Sequence, residues 1–386
     1  LFRSMFVAHR GVWAPLDAHE DGAPTAAVVS PSGQHAITLR PLDKSLQAPQ
    51  QMVLYDLTKG AERTSCDGVT SRPAFSRDGQ SVVFGRGLGL ARVTVATGVI
   101  NDLHAHHRAS VGCVAVARSG RVASGSDDRA VRVWAPGDPS ADTVFEGHGA
   151  EVTAVAFSPA EPRLVSGDRT GGVRCWDLDA RVERCLFEDP IARHWPAARA
   201  SWRWSIEALI VSDDGRLCVA QGRAWGGKPT MHYAVVTAWE LARGEVVASF
   251  ELPPRPYATR LLGVREHRVA VAWSNGTLGW YSLPDGTETL QEGNPPETWS
   301  WASVGLLGDD RALVVGERGV YTWNLPTGTF MRHGKKPTRF YSRHAAFAAD
   351  GSVIAWANDT HGTSLRQVLT FDGYTSELLG VADLPL

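Results

Sequence analysis

The segment SGSDDRAVRVW, from Ser124 to Trp134, returns about forty residues later as SGDRTGGVRCWDLD, which begins at Ser166. Both copies have a small polar start, a tight turn and a short strand that ends at Trp. Weaker copies follow along nearly the whole chain. A repeat of roughly 40–45 residues whose strands end at Trp is typical of a β-propeller blade. The repeat therefore predicts an all-β protein whose default function is binding and not catalysis.

The clearest unit runs from Glu146 to Asp179 and contains the run VTAVAFSP. Apolar side chains occur on both faces of that run, which is typical of a strand that is covered on both sides. Turns through Pro159–Pro162 and Gly167–Gly172 lead into the next strands. We therefore expect each unit to be an antiparallel meander that buries its two faces only when neighbouring copies stack.

Two independent markers, the Trp-type position and a polar turn before the second strand, each occur eight times. The residues at the Trp-type position are Tyr55, Val95, Trp134, Trp176, Trp239, Tyr281, Trp323 and Phe371. Stacked blades close into a ring that leaves no free sheet edge. We predict a lead-in segment followed by a single propeller of eight four-stranded antiparallel blades. The main alternative is a propeller of seven blades with a stray motif, because the copies at the two ends are degenerate. The predicted lead-in is 1–23, and the blades are roughly 24–66, 67–106, 107–147, 148–188, 189–254, 255–298, 299–335 and 336–386.

Glu146–His148, Ser166 and Trp176–Asp177 resemble the Gly-His and Trp-Asp punctuation of the WD-repeat family. The resemblance is specific in the two central copies, extends as a pattern elsewhere and covers residues 24–386. It implies a propeller of four-stranded blades and a scaffold for protein assemblies.

The resemblance also implies structural tetrads, in which hydrogen bonds tie the inter-blade loop to the tight turn. In the family, the Trp indole N–H donates at one end and a carboxylate holds the His. We do not interpret these residues as a catalytic triad, because a nucleophile needs an exposed hydroxyl and an oxyanion hole, and the chain has no GxSxG elbow. The two sets are His107, Ser124, Asp128 and Trp134, and His148, Ser166, Thr170 and Trp176, with Thr where Asp is usual.

The composition narrows the classes of partner. The 386 residues include 39 Lys plus Arg and 41 Asp plus Glu, so the formal net charge is −2. This balance argues against a protein built as a whole for nucleic acid or anionic membranes, although a local basic patch remains open. No apolar run approaches the ~20 residues of a membrane span. The first residues, to Pro24, do not resemble a secretion signal.

Five scattered cysteines, without zinc-ligand spacing, are expected to be buried thiols in a reducing cytoplasm. The histidines at 104, 106 and 107 form a cluster without an accompanying Cys or carboxylate pattern, and the glycines at 85, 87 and 89 fit a hairpin and not a phosphate loop. We therefore predict no metal and no cofactor. Because the chain does not begin with Met, a larger multidomain chain or a multisubunit complex is a further expectation.

Two insertions between Trp176 and Trp239, Glu188–Ser205 and Gln221–His232, concentrate Trp and Arg. In a meander blade they lie at the same end of the sheet, and the connections entering the seventh and eighth copies lie on the same face. Trp, Tyr and Arg dominate binding hot spots. We therefore predict a surface over the fifth to eighth blades that binds an acidic or extended segment of a protein partner. Its residues are Arg193, Trp195, Arg199, Trp202, Arg203, Arg223, Trp225, Lys228, Trp299, Lys335, Lys336, Arg339 and Tyr341.

A structural interpretation of the same aromatics stays open. Trp202, Trp204, Trp299 and Trp301 precede strands with alternate spacing, so some of them would extend the strand and pack between blades. Three functions compete: a non-catalytic scaffold or sensor module, a binder of single-stranded nucleic acid that uses the same loops, and a hydrolase with its site in the central channel. The scaffold is favoured, because the innermost strands begin mostly with apolar or hydroxyl residues.

Overall fold

The architecture is that of a computed structural model. The described residues are 26–384 apart from 31, 33, 42–49, 57–60, 104–106, 136–137, 160–161, 188–201, 227–230, 253–258, 266, 274–277, 284, 292–301, 307–310, 317–318, 334–340, 348–352, 360–365 and 373–377. Within them the chain forms 32 β-strands and no helix, which confirms the predicted all-β class. None of these residues forms a helix long and apolar enough to cross a membrane.

The first eight strands form one sheet in chain order, with β5 paired only to β6. They are β1 (Ala26–Val29), β2 (His35–Pro41), β3 (Gln50–Asp56), β4 (Ala61–Val69), β5 (Ala74–Phe75), β6 (Ser81–Arg86), β7 (Gly89–Thr94) and β8 (Ile100–Leu103). A single bridge between Val69 and Arg86 joins the first four strands to the second four. The sheet therefore consists of two consecutive four-stranded meanders.

The other strands form six four-stranded sheets, each with neighbours paired in chain order. The third and fourth meanders are β9 (Val111–Val116), β10 (Val122–Ser126), β11 (Val131–Ala135) and β12 (Asp138–Phe145), then β13 (Val152–Phe157), β14 (Arg163–Asp168), β15 (Val173–Asp177) and β16 (Val182–Phe187). The fifth and sixth are β17 (Trp202–Val211), β18 (Leu217–Gly226), β19 (Met231–Glu240) and β20 (Val246–Glu251), then β21 (Thr259–Arg265), β22 (Arg268–Trp273), β23 (Leu278–Ser282) and β24 (Glu288–Gln291). The last two are β25 (Ala302–Leu306), β26 (Arg311–Gly316), β27 (Gly319–Asn324) and β28 (Thr329–His333), then β29 (Tyr341–Phe347), β30 (Val353–Asp359), β31 (Arg366–Asp372) and β32 (Leu378–Leu384).

Strands in the middle of the chain are buried on both faces. Every residue of β13 and β14 is buried, as the apolar residues on both faces of VTAVAF require. The hydrophobic core lies between sheets: one cluster joins Val165 and Cys175 of the fourth meander to Leu209 and Trp239 of the fifth. Stacking of neighbouring copies therefore supplies the burial that one meander lacks.

In the fourth, fifth and sixth repeats, the Trp-type residue packs against a Phe on the last strand of the preceding sheet. The ring centroids of Phe145 and Trp176 are 5.1 Å apart, and those of Phe187 and Trp239 are 5.2 Å apart. Trp176 and Trp239 are almost completely buried. Burial of a Trp side chain contributes roughly 4–6 kcal/mol as an upper bound, so this contact explains why the repeat ends at an aromatic residue.

Contacts between sheets continue around the chain. The inner strand β9 contacts β6 and β13, β13 contacts β17, and β17 contacts β21. Further along, β22 contacts β25, and β25 contacts β29. The inner strand of the last sheet, β29, contacts β1, and β32 contacts β4. The first and last sheets are therefore neighbours, as expected in a closed propeller.

The inner strands of the third to sixth sheets each carry a β-bulge in their pairing with the second strand. The extra residues are Gly112, Thr153, Glu207 and Leu262, each skipped in the pairing with the second strand. The bulge residue of the fourth sheet, Thr153, links that sheet to the fifth, because its hydroxyl donates a hydrogen bond to the carbonyl of Ile206 at 2.7 Å. This recurring position also provides a register for comparing the sheets.

Glycines on the second strand permit the close approach of the next inner strand. A Cβ at Gly167 would lie 2.6 Å from Cγ2 of Ile206, and one at Gly125 would lie 2.7 Å from Sγ of Cys113 and 2.9 Å from Cβ of Val152. Real Cβ atoms are not found at such distances from neighbouring atoms. Close packing against the next inner strand therefore explains the Gly of the Ser-Gly pair that begins both strong copies.

Candidate functional site

In the third repeat the structure brings His107, Ser124 and Asp128 together. Nδ1 of His107 lies 2.9 Å from Oδ2 of Asp128, and its Nε2 lies 2.7 Å from Oγ of Ser124. The backbone N–H groups of Arg108 and Ala130 also donate to the Asp128 carboxylate, at 2.7 and 3.0 Å. The carboxylate thus links the loop before β9 to the turn between β10 and β11.

The fourth repeat contains a complete chain of hydrogen bonds. The indole N–H of Trp176 donates to Oγ of Ser166 at 2.7 Å, and that oxygen lies 2.6 Å from Nε2 of His148. Nδ1 of His148 lies 2.9 Å from Oδ2 of Asp168. A ring with its proton on Nδ1 satisfies every partner: Ser166 donates to Nε2, and Nδ1 donates to the carboxylate.

The assignment of Thr170 to this tetrad is corrected by these contacts, because the carboxylate of Asp168 holds the His. Thr170 stands at the position of Asp128 in the aligned repeats, but its hydroxyl and its N–H both donate to Oδ1 of Asp168, each at 2.9 Å. The N–H of Gly172 donates to the same oxygen at 2.9 Å. The acid therefore comes from the end of β14, two residues earlier than the alignment indicates, and Thr170 supports it.

The third repeat lacks the hydrogen bond from Trp that ends the series in the fourth repeat. In the described part of the molecule, Nε1 of Trp134 has no hydrogen-bond partner, although the side chain is buried. The His107 and Trp134 ring centroids are 6.4 Å apart in an edge-on arrangement, compared with 6.0 Å for His148 and Trp176. Trp134 therefore contributes by packing and not through its N–H.

Burial makes these groups unsuitable for nucleophilic catalysis. Ser124 and Ser166 are both 0% exposed, so a substrate cannot reach either hydroxyl. Burial lowers the pKa of His107, against the opposing effect of Asp128. The pKa of Asp168 is also lowered, because hydrogen bonds from His148, Thr170 and Gly172 outweigh burial, which acts in the opposite direction. Both sets have the properties of buried structural networks.

The fifth sheet projects beyond the fourth sheet. Its first three strands have ten residues each, whereas β13, β14 and β15 of the preceding sheet have six, six and five. When the sheets are aligned at the bulge, Ile206 corresponds to Val152, the first residue of β13. The four residues Trp202–Ser205 therefore extend past that level, which amounts to roughly 13 Å of strand.

We call this extension the projecting ladder; it comprises Trp202–Ser205, Arg223–Gly226 and Met231–Tyr233. Trp202 pairs with Gly226, and Arg203 pairs with Trp225. The ladder lies at the end of the sheet where the inner strands begin, which is the face that carries the His107 and His148 loops. Strand β20 pairs with β19 only from Val235 onward, so among the described residues both outer edges of the ladder have no strand partner.

A buried ion pair lies at the base of the ladder. Nε of Arg223 lies 3.0 Å from Oε1 of Glu207, the bulge residue of β17, and both side chains are mostly buried. Burial raises the pKa of Glu207 to about 7, against the opposing charge of Arg223. In sequence, Glu207 is the single acidic residue in the apolar run IEALIV, which is the signal that marks it. Arg223 supports the ladder, and its contact with a partner stays a prediction.

The two insertions contain more regular structure than loops would. Gln221–Gly226 continues β18, and Trp202, Arg203 and Trp204 lie in β17, as the structural interpretation of the alternating Trp residues anticipated. Tyr341 begins β29 and pairs with Asp359. The other predicted contact residues lie outside the described residues: Arg193, Trp195, Arg199, Lys228, Trp299, Lys335, Lys336 and Arg339.

The described residues contain no group of three or more His, Cys, Asp or Glu side chains placed to hold a metal ion. The histidines at 104 and 106 lie outside them. All five cysteines are free thiols, and Cys185 is the one that is partly exposed.

Two segments of the chain match a known family of repeats. Residues 98–135 and 140–177 match the family model described as "WD domain, G-beta repeat". These two segments contain every residue of the tetrads in the third and fourth repeats.

Curated relatives match parts of the chain. A 57-residue segment, 15% of this chain, is 46% identical to 9% of the transcription initiation factor TFIID subunit 5 of Caenorhabditis elegans. An alignment of 107 positions, which covers 24% of this chain and 14% of human striatin-4, shows 34% identity. A 187-residue segment, 47% of the chain, is 26% identical to 37% of the human angio-associated migratory cell protein. The chain thus spans well under half the length of each of these relatives.

A solved structure shows the same fold over most of the chain. The crystal structure of the computationally designed Ika8 protein superposes with a TM-score of 0.53 and 20% sequence identity, over 81% of this chain and 86% of that one. At this level of identity the likeness concerns the fold alone.

Proposed function

We propose that this chain is a WD-repeat protein and acts as a non-catalytic scaffold. We further propose that it binds a protein partner through the projecting ladder. The repeats and their WD-repeat relatives support a protein-interaction scaffold. The observation that carries the finer proposal is the extension of β17, β18 and β19 beyond the fourth sheet on the face of the His loops.

The unpaired edges of the ladder suit an extended segment. Trp202–Ser205 and Met231–Tyr233 each pair on one side only within the described structure. An extended peptide can add to such an edge through main-chain hydrogen bonds, while side chains of the sheet select among sequences. We therefore propose that the partner contributes an extended strand.

The composition of the ladder favours an acidic partner. Arg203 and Trp225 are paired in register, and the adjoining insertion adds Arg193, Trp195 and Arg199. Arginine binds carboxylates in two-point geometry, and Trp contributes large contact area with a polar N–H. The Glu207–Arg223 ion pair beneath holds the base of the ladder, so Arg203 is the cation that we assign to the partner.

We also propose a ring of eight blades. The 32 strands correspond to four for each of the eight predicted repeats, and the contacts between β29 and β1 support closure. A density map of the isolated protein tests this directly, and a ring of seven blades would contradict it.

The test of function is affinity capture from the native source with the wild-type chain and with the double variant Arg203→Glu/Trp225→Ala. Partners that bind the ladder should lose roughly tenfold or more in affinity, since hot-spot residues contribute 1–2 kcal/mol or more each. Arg243→Glu is the matched control, because it changes an exposed Arg in the turn between β19 and β20 at the opposite end of the same sheet.

Equal capture by the wild-type chain and the double variant would contradict the proposal. A partner that is lost equally with Arg243→Glu would place the binding surface elsewhere. If a single-stranded oligonucleotide displaces the partner with a steep dependence on salt, the nucleic-acid alternative replaces the proposal.

A further inference from the structure

Two cysteines of the fourth sheet face each other across neighbouring strands. Cys175 on β15 is directly opposite Cys185 on β16 in the antiparallel register. Opposed residues of antiparallel strands have Cα atoms about 4.5–5.5 Å apart, which lies within the range of about 4.4–6.8 Å found for disulfides. The fold therefore holds the two thiols at a distance that a disulfide can bridge.

The two thiols differ in environment. Cys175 is completely buried in the core between the fourth and fifth sheets, whereas Cys185 is partly exposed. The hydrogen bond from the Cys175 thiol and the charges of Arg184 and Arg163 lower the pKa of Cys185, although burial and Glu183 act in the opposite direction. The same interaction and burial raise the pKa of Cys175. Cys185 therefore has the greater thiolate character and the better access.

The other described cysteines do not share this environment. Burial raises the pKa of Cys113 to about 12, and it raises the pKa of Cys218 further. Burial also raises the pKa of Cys66. Thiolate character and exposure together control the reactivity of cysteine, so reactivity is concentrated at Cys185.

We propose that Cys185 and Cys175 form an oxidisable pair which a hydroperoxide converts into a cross-strand disulfide. The Cys185 thiolate attacks one oxygen of hydrogen peroxide, the O–O bond breaks, and hydroxide leaves, so that Cys185 becomes a sulfenic acid. The Cys175 sulfur then attacks the Cys185 sulfur, the S–S bond forms, and the sulfenic hydroxyl leaves as water with the thiol proton. The two sulfurs lose two electrons in total, and the peroxide gains them. A thiol reductant reverses the change.

The pair lies at the seam with the fifth sheet, which carries the projecting ladder. The turn between β19 and β20 borders it, because a Cβ at Gly244 would lie 3.5 Å from Sγ of Cys185. The proposal does not depend on the proposed scaffold function, since it concerns the chemistry of these two thiols alone.

The test uses the full chain, reduced and then freed of reductant. After brief exposure to dilute hydrogen peroxide, free thiols are blocked with N-ethylmaleimide, and the chain is digested without reduction for mass spectrometry. We expect a peptide that joins Cys175 to Cys185, while Cys113 and Cys218 carry the maleimide. Equal labelling of all five cysteines, or a disulfide from Cys185 to Cys218, would overturn the proposal.

Two variants separate the steps. Cys175→Ser should abolish the joined peptide and leave a sulfenic acid at Cys185 that dimedone traps. Cys113→Ala, at another buried cysteine, is the control and should still form the joined peptide. Unmodified Cys185 in Cys175→Ser after peroxide would contradict the assigned order of attack. If Cys175→Ser fails to fold, the peptide map of the wild-type chain still decides the proposal.

Discussion

Nδ1 of His148 lies 2.9 Å from Oδ2 of Asp168, the same distance that separates Nδ1 of His107 from Oδ2 of Asp128. The two carboxylates nevertheless come from different positions of the repeat. Asp128 lies in the turn, whereas Asp168 is the last residue of β14. The histidine thus receives the same partner from two local backbone geometries.

Substitution of the acid should distinguish Asp168 from Thr170. Asp168→Ala leaves Nδ1 of His148 and the N–H of Gly172 without their acceptor, so we expect a loss of roughly 2–4 kcal/mol in the free energy of unfolding. Thr170→Val removes one exposed hydroxyl and should cost at most about 1 kcal/mol. Denaturant unfolding measures both. Equal losses would return Thr170 to the tetrad. Asp128→Ala should match Asp168→Ala.

The two tetrad tryptophans form a matched pair. Both are buried, but only Trp176 donates its indole N–H to a serine. Replacement by Phe removes similar apolar area at each site, so Trp176→Phe should cost about 1 kcal/mol more than Trp134→Phe in the free energy of unfolding. The comparison is best made by denaturant titration of both variants on one day. An equal cost would show that the Ser166 bond contributes nothing net.

Close packing between sheets predicts a large effect from a single methyl group. Gly167→Ala places a Cβ against Ile206, and Gly125→Ala places one against Val152 and Cys113. Each should lower the free energy of unfolding by about 1–3 kcal/mol, since the neighbouring inner strand must shift. Gly149→Ala is the control, because nothing lies within 4 Å of its Cβ position, and it should change stability by less than about 0.5 kcal/mol. Similar changes in the free energy of unfolding for all three variants would contradict the close packing assigned between neighbouring sheets.

Glu207 should make stability depend on pH in an unusual direction. Its pKa in the fold is about 7, above the ordinary value of 4.5, so the folded state binds the proton more tightly than the unfolded state. The contribution of protonated Glu207 to the free energy of unfolding is therefore complete below about pH 4.5 and is lost as the pH rises toward 7. Relative to the wild type, Glu207→Gln should gain up to about 1.4 kcal/mol per pH unit across this window.

The experiment compares unfolding free energies from pH 5 to pH 8, where His107 contributes a slope of opposite sign to both proteins. Glu245→Gln, at an exposed position of the same sheet, is the reference variant. A difference between wild type and Glu207→Gln that does not change with pH would show that Glu207 keeps its ordinary affinity for protons.

The repeat made the class of fold predictable, because the burial of β13 and β14 follows directly from apolar residues on both faces. His107, Ser124 and Asp128 were also predictable, since they occupy the positions that the resemblance implies. Asp168 was not, because alignment by spacing selects Thr170, and only the backbone at the end of β14 turns the earlier carboxylate toward His148. The alternate spacing of Trp202 and Trp204 anticipated their place in a strand, but Gly and Pro obscure in sequence the pairing of Arg203 with Trp225. Glu207 is marked in sequence as a lone acid in an apolar run, but its pairing with Arg223 and the pairing of Cys175 with Cys185 depend on strand register, which composition does not reveal.

The contact between β1 and β29 has a consequence for synthesis on the ribosome. The inner strand of the first sheet emerges early, yet its neighbour is translated some three hundred residues later, so for most of translation that flank stays uncovered. Nascent chains stalled before residue 341 should consequently depend on chaperones, and circular permutants opened at another turn would move this vulnerable period to a different pair of sheets.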